Sequence, residues 1–425
     1  MSSYPSSWPT RYLGPPPKLK DLNLIAWGLL FVGFVLPFSI VVISSHRPPD
    51  ADFTGFYSLG RILNEYSAHD LYDYDLQKRI CQEVHPRKGE YGPLPHPPFV
   101  GLFFRPFALL PYWVAYALWV AVSLGLYGLG LHLIIARFFP QEGLARSLIF
   151  ALAYSYFPFI ANTAANGQLA AVGFCALALA LREEDLRHDL RSGLALSLCL
   201  YKPTILLLIV PMLMVNRRFK ALAGFALGTL ALVLVTAAFE GFAVWPQFLH
   251  ALRSFGDSSV GVGRSSILPL AKYVDLTSFS SNLHGGRSPF GITVFLCCAL
   301  LAFAVLIRFW VADRACGPRY RAPLWAATLT WTLLLNVYVP VYDSILVVLS
   351  VLMTARTLRE LGRPALQRWF IVTWVLILLC SWISVPLSRG TGIQCMTVLF
   401  ASLGILQFAC LRRLASQGKP RTHAP

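Results

Sequence analysis

The stretch LNLIAWGLLFVGFVLPFSIVVIS, residues 22–44, decides the fold. It carries no charged side chain, and its length lies within the ~17–25 residues that an α-helix needs to cross the hydrocarbon of a bilayer. It is longer than the apolar core of a signal peptide and lacks a small-residue cleavage site, so it is expected to persist as a helix. A polar segment follows and runs to about His96, with Asp52-Phe53-Thr54-Gly55-Phe56-Tyr57 near its start. Further apolar runs lie at about 112–136, 145–161, 168–182, 192–201, 203–215, 219–239, 290–310, 322–338, 341–355, 369–386 and 392–411. The pattern predicts an all-α integral membrane bundle of about 10–12 transmembrane segments with a large first outer loop.

Composition supports the same class. Of 425 residues, 56% are hydrophobic and 13% charged, against roughly 25% charged in a soluble domain. The net charge of +16 gathers in short loops between apolar runs. That is a topology signal, with no basic face interleaved with aromatics to suggest nucleic acid. Most of the nine cysteines lie inside apolar runs, and none has metal-site spacing. No P-loop, GxSxG, HExxH or dinucleotide fingerprint is present, so no cofactor and no metal site is expected.

Charge orients the bundle. Arg137 and Arg146, then Arg182, Arg187 and Arg191, then Arg217, Arg218 and Lys220 mark successive loops, as do Arg308–Arg321, Arg356–Arg368 and Arg412–Arg421. Placing all of them on the cytoplasmic side requires 192–201 and 203–215 to form a hairpin or re-entrant pair broken at Lys202-Pro203. Residues 1–21 and 412–425 then form cytoplasmic tails around a membrane domain, 22–411. The long loops 46–111 and 240–289 share the outer face. The apolar stretch 98–111, interrupted by Arg105-Pro106, reads as an interfacial helix. The second loop, which holds Arg253, Asp257, Arg264, Lys272, Asp275, His284 and Arg287 among Gly and Ser, reads as mobile and able to gate a site.

Asp52 is a carboxylate at a bilayer face backed by apolar helices. It suits a general base that takes a proton from an acceptor hydroxyl during sugar transfer; the plainer role is a helix-end carboxylate. Asp50 is a local rival in a Pro48-Pro49 linker context. Tyr57 to Arg61 continue as a short amphipathic helix. A turn and the segment Asp70-Leu71-Tyr72-Asp73-Tyr74-Asp75 follow, a mixture suited to carbohydrate and equally to a solvated loop with interfacial aromatics. His96 before Pro97-Pro98 can donate to a phosphate or sugar oxygen, or serve the loop's own structure. Asn162, Asn166, Gly167 and Gln168 form a polar turn that binds substrate or caps helices. Lys202 is an ionisable residue inside a membrane run, a functional candidate by its cost, suited to a phosphate; the alternative is snorkelling. Tyr342-Asp343 places another acid at a membrane edge, able to pair with Lys202 or Arg61, or to bind substrate.

Through Asp52-Phe53, Phe56-Tyr57, Gly60-Arg61, Leu71-Tyr72, Pro97-Pro98, Pro106, Trp119, Asn166-Gly167-Gln168, Lys202-Pro203, Arg217-Arg218 and Tyr342-Asp343, the chain resembles the polyprenyl-phosphate-sugar-dependent glycosyltransferases of the GT-C superfamily. It looks most like glycosyltransferase family 87, which includes mannosyltransferases. His96 departs from the aromatic that the family often has before Pro-Pro. The resemblance implies a plasma-membrane enzyme of the cell envelope with its site on the outer face. It would transfer a hexose, mannose in particular, from a polyprenyl-phosphate donor to a glycolipid or glycan acceptor, with inversion. Asp52 would be the base and Lys202 a partner of the donor phosphate, with Tyr57, Arg61, His96, Asn166, Gln168, Tyr342 and Asp343 binding substrate. A lipid-linked saccharide flippase and a non-catalytic envelope scaffold are the competing classes. The first needs a continuous polar path across the membrane, and the second predicts that Asp52 is replaceable.

Overall fold

The computed structural model describes residues 19–44, 52–86, 91–139, 143–260, 270–284, 289–337 and 339–417. These residues are helical almost throughout; the one pairing of extended backbone among them is a single antiparallel bridge, Tyr273 to Pro340. Seven helices are long and apolar enough to cross a membrane, or up to eight if a bent pair counts as one span. The protein is therefore an all-α integral membrane protein. The count falls below ten because the remaining apolar runs are short or broken, as in Ala170–Asp185, Arg321–Leu335 and the pieces between Asp189 and Val215.

Burial sorts the spans. Asn23–Ile43, Pro289–Arg314, Phe219–Glu240 and Pro364–Thr391 leave most of their apolar surface uncovered by protein, whereas Val341–Leu361 is 83% buried. In a bilayer the outer helices need no polar face, because lipid is as apolar as Leu. The inner helix packs against Arg321–Leu335, Cys395–Gln417 and Pro364–Thr391, within a core that elsewhere holds Trp119, Tyr127, Tyr156, Phe174 and Trp310.

Two breaks shape the interior. Arg146–Tyr154 and Pro158–Ala165 meet at 67°, where the run read from sequence as one segment turns at Ser155–Phe157. The second break is at Lys202, whose φ of −144° and ψ of 83° end one short helical piece before Pro203 opens the next. The pair is a hairpin, as the charge pattern required: Asp189 at its start and Arg217 past its end line the same cavity. Its first arm, Asp189–Ser197, lies unusually close to Phe219–Glu240. A Cβ on Gly193 would stand 1.9 Å from the Ala221 carbonyl oxygen, and one on Gly224 would stand 2.1 Å from that of Leu190. Only glycine permits this backbone contact, which replaces the missing hydrophobic drive between helices in lipid.

The first loop folds as a small helical layer. Phe53–Glu65 buries Phe53, Phe56, Leu59, Ile62 and Leu63, spacings that place one apolar stripe on one face. That stripe packs on Pro98–Ala108, the segment expected to be interfacial, with Arg105 bridging to Glu240 at 2.6 Å. The Tyr/Asp-rich segment serves the loop itself. Asp70 completes a capping box with Ser67, Asp73 accepts from the Leu76 amide, and Tyr72 and Tyr74 donate to the carbonyls of His96 and Tyr91.

Candidate functional site

Asp52 is the N-cap of Phe53–Glu65, the position where an Asp side chain ordinarily accepts from the first turn's amides. It makes no such side-chain hydrogen bond. The carboxylate turns away instead, exposed, and Oδ2 accepts from Gln168 Nε2. The helix start is fixed by backbone: the Phe53 amide donates to the Asn166 carbonyl at 3.0 Å. The turn carrying Asn166 and Gln168 depends on Gly167, at φ 69°, where a Cβ would stand 2.6 Å from that of Phe53. Trp119 Nε1 donates to the Gly167 carbonyl at 2.7 Å and Tyr116 to that of Ala165 at 2.5 Å. The polar turn between membrane runs and the first long loop are thus locked together, although more than a hundred residues separate them.

Asp52, Asn162, Asn166 and Gln168 line a cavity of about 490 Å³, closed on the other side by Lys272, Tyr273, Pro340 and Tyr342. Behind it, Lys202 donates to Asp343 Oδ2, and its ammonium lies 4.9 Å from the centre of the Tyr342 ring. Asp343 is 2% exposed. Its Oδ2 pairs with the partly exposed Lys202, while Oδ1 has no hydrogen-bond partner among the described residues. Tyr342 therefore bridges the ion pair and the cavity.

Lys272 and Tyr273 belong to the second loop, where the sequence offered seven ionisable residues without roles. What fixes them is Asp275, fully buried and accepting from the Ser278 amide at 2.7 Å, the Ser278 hydroxyl at 2.9 Å and the Val339 amide at 2.8 Å. Burial raises its pKa against the pull of these hydrogen bonds. Gln394 and Thr397 hold the carbonyls of Ala271 and Val274 at 2.8 Å. The described part of this loop is tied down rather than loose; Arg264 and Arg287 lie outside the described residues, as does Asp50 beside Asp52.

The other candidates lie apart from the cavity. Arg61 pairs with Glu65 at 2.8 Å and Glu83 at 3.5 Å. Tyr57 is buried and donates to the Leu110 carbonyl at 2.8 Å. His96 stands between the two regions, its ring 5.1 Å from that of Phe56 and close to Tyr201 and Lys202. Burial pushes its imidazole pKa down to about 4, opposed by a hydrogen bond to the Tyr201 carbonyl and assisted by the Lys202 charge. His96 is neutral at pH 7. Between pH 6.5 and about 4 the unfolded chain binds a proton there that the folded chain does not, so stability falls as pH drops through this window. His96→Gln keeps a donor and removes the titration. Its thermal midpoint should be less pH-dependent between 6.5 and 4; a pH profile parallel to wild type would show that His96 is not responsible.

Among the described residues no group of three or more His, Cys, Asp and Glu is placed to hold a metal ion. Residues 95–340, more than half of the chain, match the family model of glycosyltransferase family 87. The matched span contains Asn166, Gln168, Lys202 and Lys272 and leaves Asp52, Tyr342 and Asp343 outside it. No curated protein and no solved structure matches the chain.

Proposed function

The chain belongs to glycosyltransferase family 87, and from that premise we propose that this integral membrane glycosyltransferase moves a hexose, mannose in the first instance, from a polyprenyl-phosphate donor to a glycolipid or glycan acceptor on the non-cytoplasmic face. The observation that carries the reading is Asp52: a carboxylate at a helix N-cap, withheld from capping, directed at an amide and into a polar cavity at the membrane edge.

The chemistry follows from the lining. The acceptor hydroxyl attacks the anomeric carbon of the donor sugar, and its proton passes to Asp52. The bond from that carbon to the phosphate oxygen breaks, and the polyprenyl phosphate leaves with the electron pair. A single displacement inverts the anomeric carbon. The leaving phosphate is already a stable anion, so no separate acid is required. Gln168 holds the base, and Asn162 and Asn166 offer amides to sugar hydroxyls. Lys202 is engaged by Asp343, which leaves Lys272 as the basic side chain among the described lining residues. We assign Lys272 to the donor phosphate, and the Lys202–Asp343 pair to holding Tyr342 against the donor. The outward orientation rests on the basic loops at the opposite ends of the helices.

The test is transfer from radiolabelled polyprenyl-phosphate-mannose in membranes containing the protein, with membrane extract as acceptor. Wild type should transfer label. Lys272→Met should raise the KM for donor by roughly 10- to 100-fold, the value of a hydrogen bond to a charged group, with a smaller change in kcat. An unchanged KM would remove Lys272 from the phosphate site, and absence of transfer by wild type would leave the donor sugar open and favour the flippase and scaffold classes.

A further inference from the structure

A second cavity, of about 670 Å³, lies at the other end of the bundle from Asp52. Phe219–Glu240 measures the separation. Its last residue pairs with Arg105 of the first loop, its first residue lines this cavity, and its 22 residues span about 33 Å. The lining carries Arg187, Arg217, Arg218, Lys220, Arg314 and Arg321 against two acidic side chains, Asp189 and Asp313. Arg218 is shared between Asp313 at 3.5 Å and Glu184 at 3.8 Å, and Arg314 donates to the Val215 carbonyl. Arg187 and Arg321 also lie within reach of the Asp313 charge, and Arg321 within reach of Glu184, so six cations share the lining with two carboxylates and the cavity stays net positive.

Three helices begin here. Asp189–Ser197, Phe219–Glu240 and Arg321–Leu335 each place their first residue in the lining, and none has a side-chain cap. Their first-turn amides and dipoles add to the positive field. Arg187 and Arg217, at φ 67° and 54°, are the non-glycine residues of left-handed backbone among those described, and both line this cavity. Each closes the C-terminus of the preceding helix, the Arg187 amide donating to the Glu184 carbonyl and the Arg217 amide to that of Met214, and so brings a helix end and its cation to the cavity rim. Buried acceptors stand among the cations: Asp313 Oδ1, Asp189 Oδ1 and Asn216 Oδ1 have no hydrogen-bond partner among the described residues. Asp313 is 7% exposed. A ligand that meets both needs carries a phosphate together with hydroxyl or ammonium donors.

We propose that this cavity binds a phosphate group bearing hydrogen-bond donors, the chemistry of a phospholipid headgroup in the leaflet opposite the Asp52 cavity. Basic pockets between helices on that side of a membrane protein suit such headgroups.

The experiment measures binding to the purified full-length protein in detergent by thermophoresis, with two probes: dihexanoyl phosphatidylglycerol and inorganic phosphate. No transfer activity is needed, so the result is independent of the Asp52 reading. Dihexanoyl phosphatidylglycerol should bind, and Arg187→Gln/Lys220→Gln should weaken it roughly thirtyfold, at the value of one charge each. The charge-matched control Arg363→Gln/Arg368→Gln should not. Arg217→Gly relaxes the left-handed backbone while removing a cation, so it should lose affinity without losing stability. Inorganic phosphate binding as tightly, and displacing the lipid, would also support the site but assign it to a soluble phosphate. Binding by neither probe, or equal loss in the control, overturns the proposal.

Discussion

Asp52→Asn reduces the initial rate of sugar transfer by roughly 10²- to 10⁴-fold, the range for losing a positioned general base. The substitution is nearly isosteric, and Asp52 makes no side-chain cap hydrogen bond, so the helix start at Phe53 is not at stake. The Phe53 amide keeps its bond to the Asn166 carbonyl, and Gln168 can turn its amide to meet the new side chain. What disappears is the capacity to take a proton. The measurement is the initial rate at saturating donor and acceptor, at matched membrane expression, with the KM for donor followed in parallel. A fall in kcat with a steady KM is expected, because the base acts in the transition state and contributes little to ground-state binding. A rate within threefold of wild type would end the catalytic assignment and favour the flippase or scaffold classes.

The second large effect is on stability. Lys202 and Asp343 form an ion pair between a hairpin tip and the start of the most buried span, with Asp343 almost fully enclosed. Removing one partner leaves the other charge without compensation in a low-dielectric interior, a loss of roughly 3–5 kcal/mol. Lys202→Met is therefore expected to unfold far more readily than wild type in thermal or denaturant titration. The double change Lys202→Met/Asp343→Leu should recover most of that loss, since two apolar groups need no partner. Transfer should remain low in the double variant, because Tyr342 would lose the cation at its ring. Equal stability of single variant and wild type would mean that the pair contributes nothing to the fold.

Much of the architecture was legible because lipid imposes a simple code. A run such as 22–44 has few alternatives to a helix, and basic loops fix which ends lie together. The hairpin at Lys202-Pro203 could be read from parity and proline. The candidate site was only partly legible. Asp52 and Gln168 stood out as polar residues at apolar borders, but nothing in either local segment says that they touch. The Gly167 turn, the Trp119 indole and the Phe53 amide meet through packing between distant elements. Lys272 was one of seven ionisable residues in a Gly/Ser-rich loop, and its placement depends on Asp275 reaching Val339, across a gap that sequence spacing does not encode. Arg61, a conspicuous charge on the helix whose N-cap is Asp52, pairs with Glu65 and Glu83 on the loop's own surface, a placement that its local sequence does not announce.

The hairpin between Asp189 and Val215 also bears on how the chain is assembled. Its helical pieces are of nine, four, four and seven residues, too short to partition into lipid as independent spans, which need ~17–25 residues. Its closest neighbour, Phe219–Glu240, is synthesised after it. During translation the hairpin therefore emerges before the surface that receives Gly193 exists. Ala170–Asp185, made before it, packs on its first arm, but the close approach at Gly193 and Gly224 forms only once Phe219–Glu240 follows, so the order of synthesis makes this contact a late step of assembly.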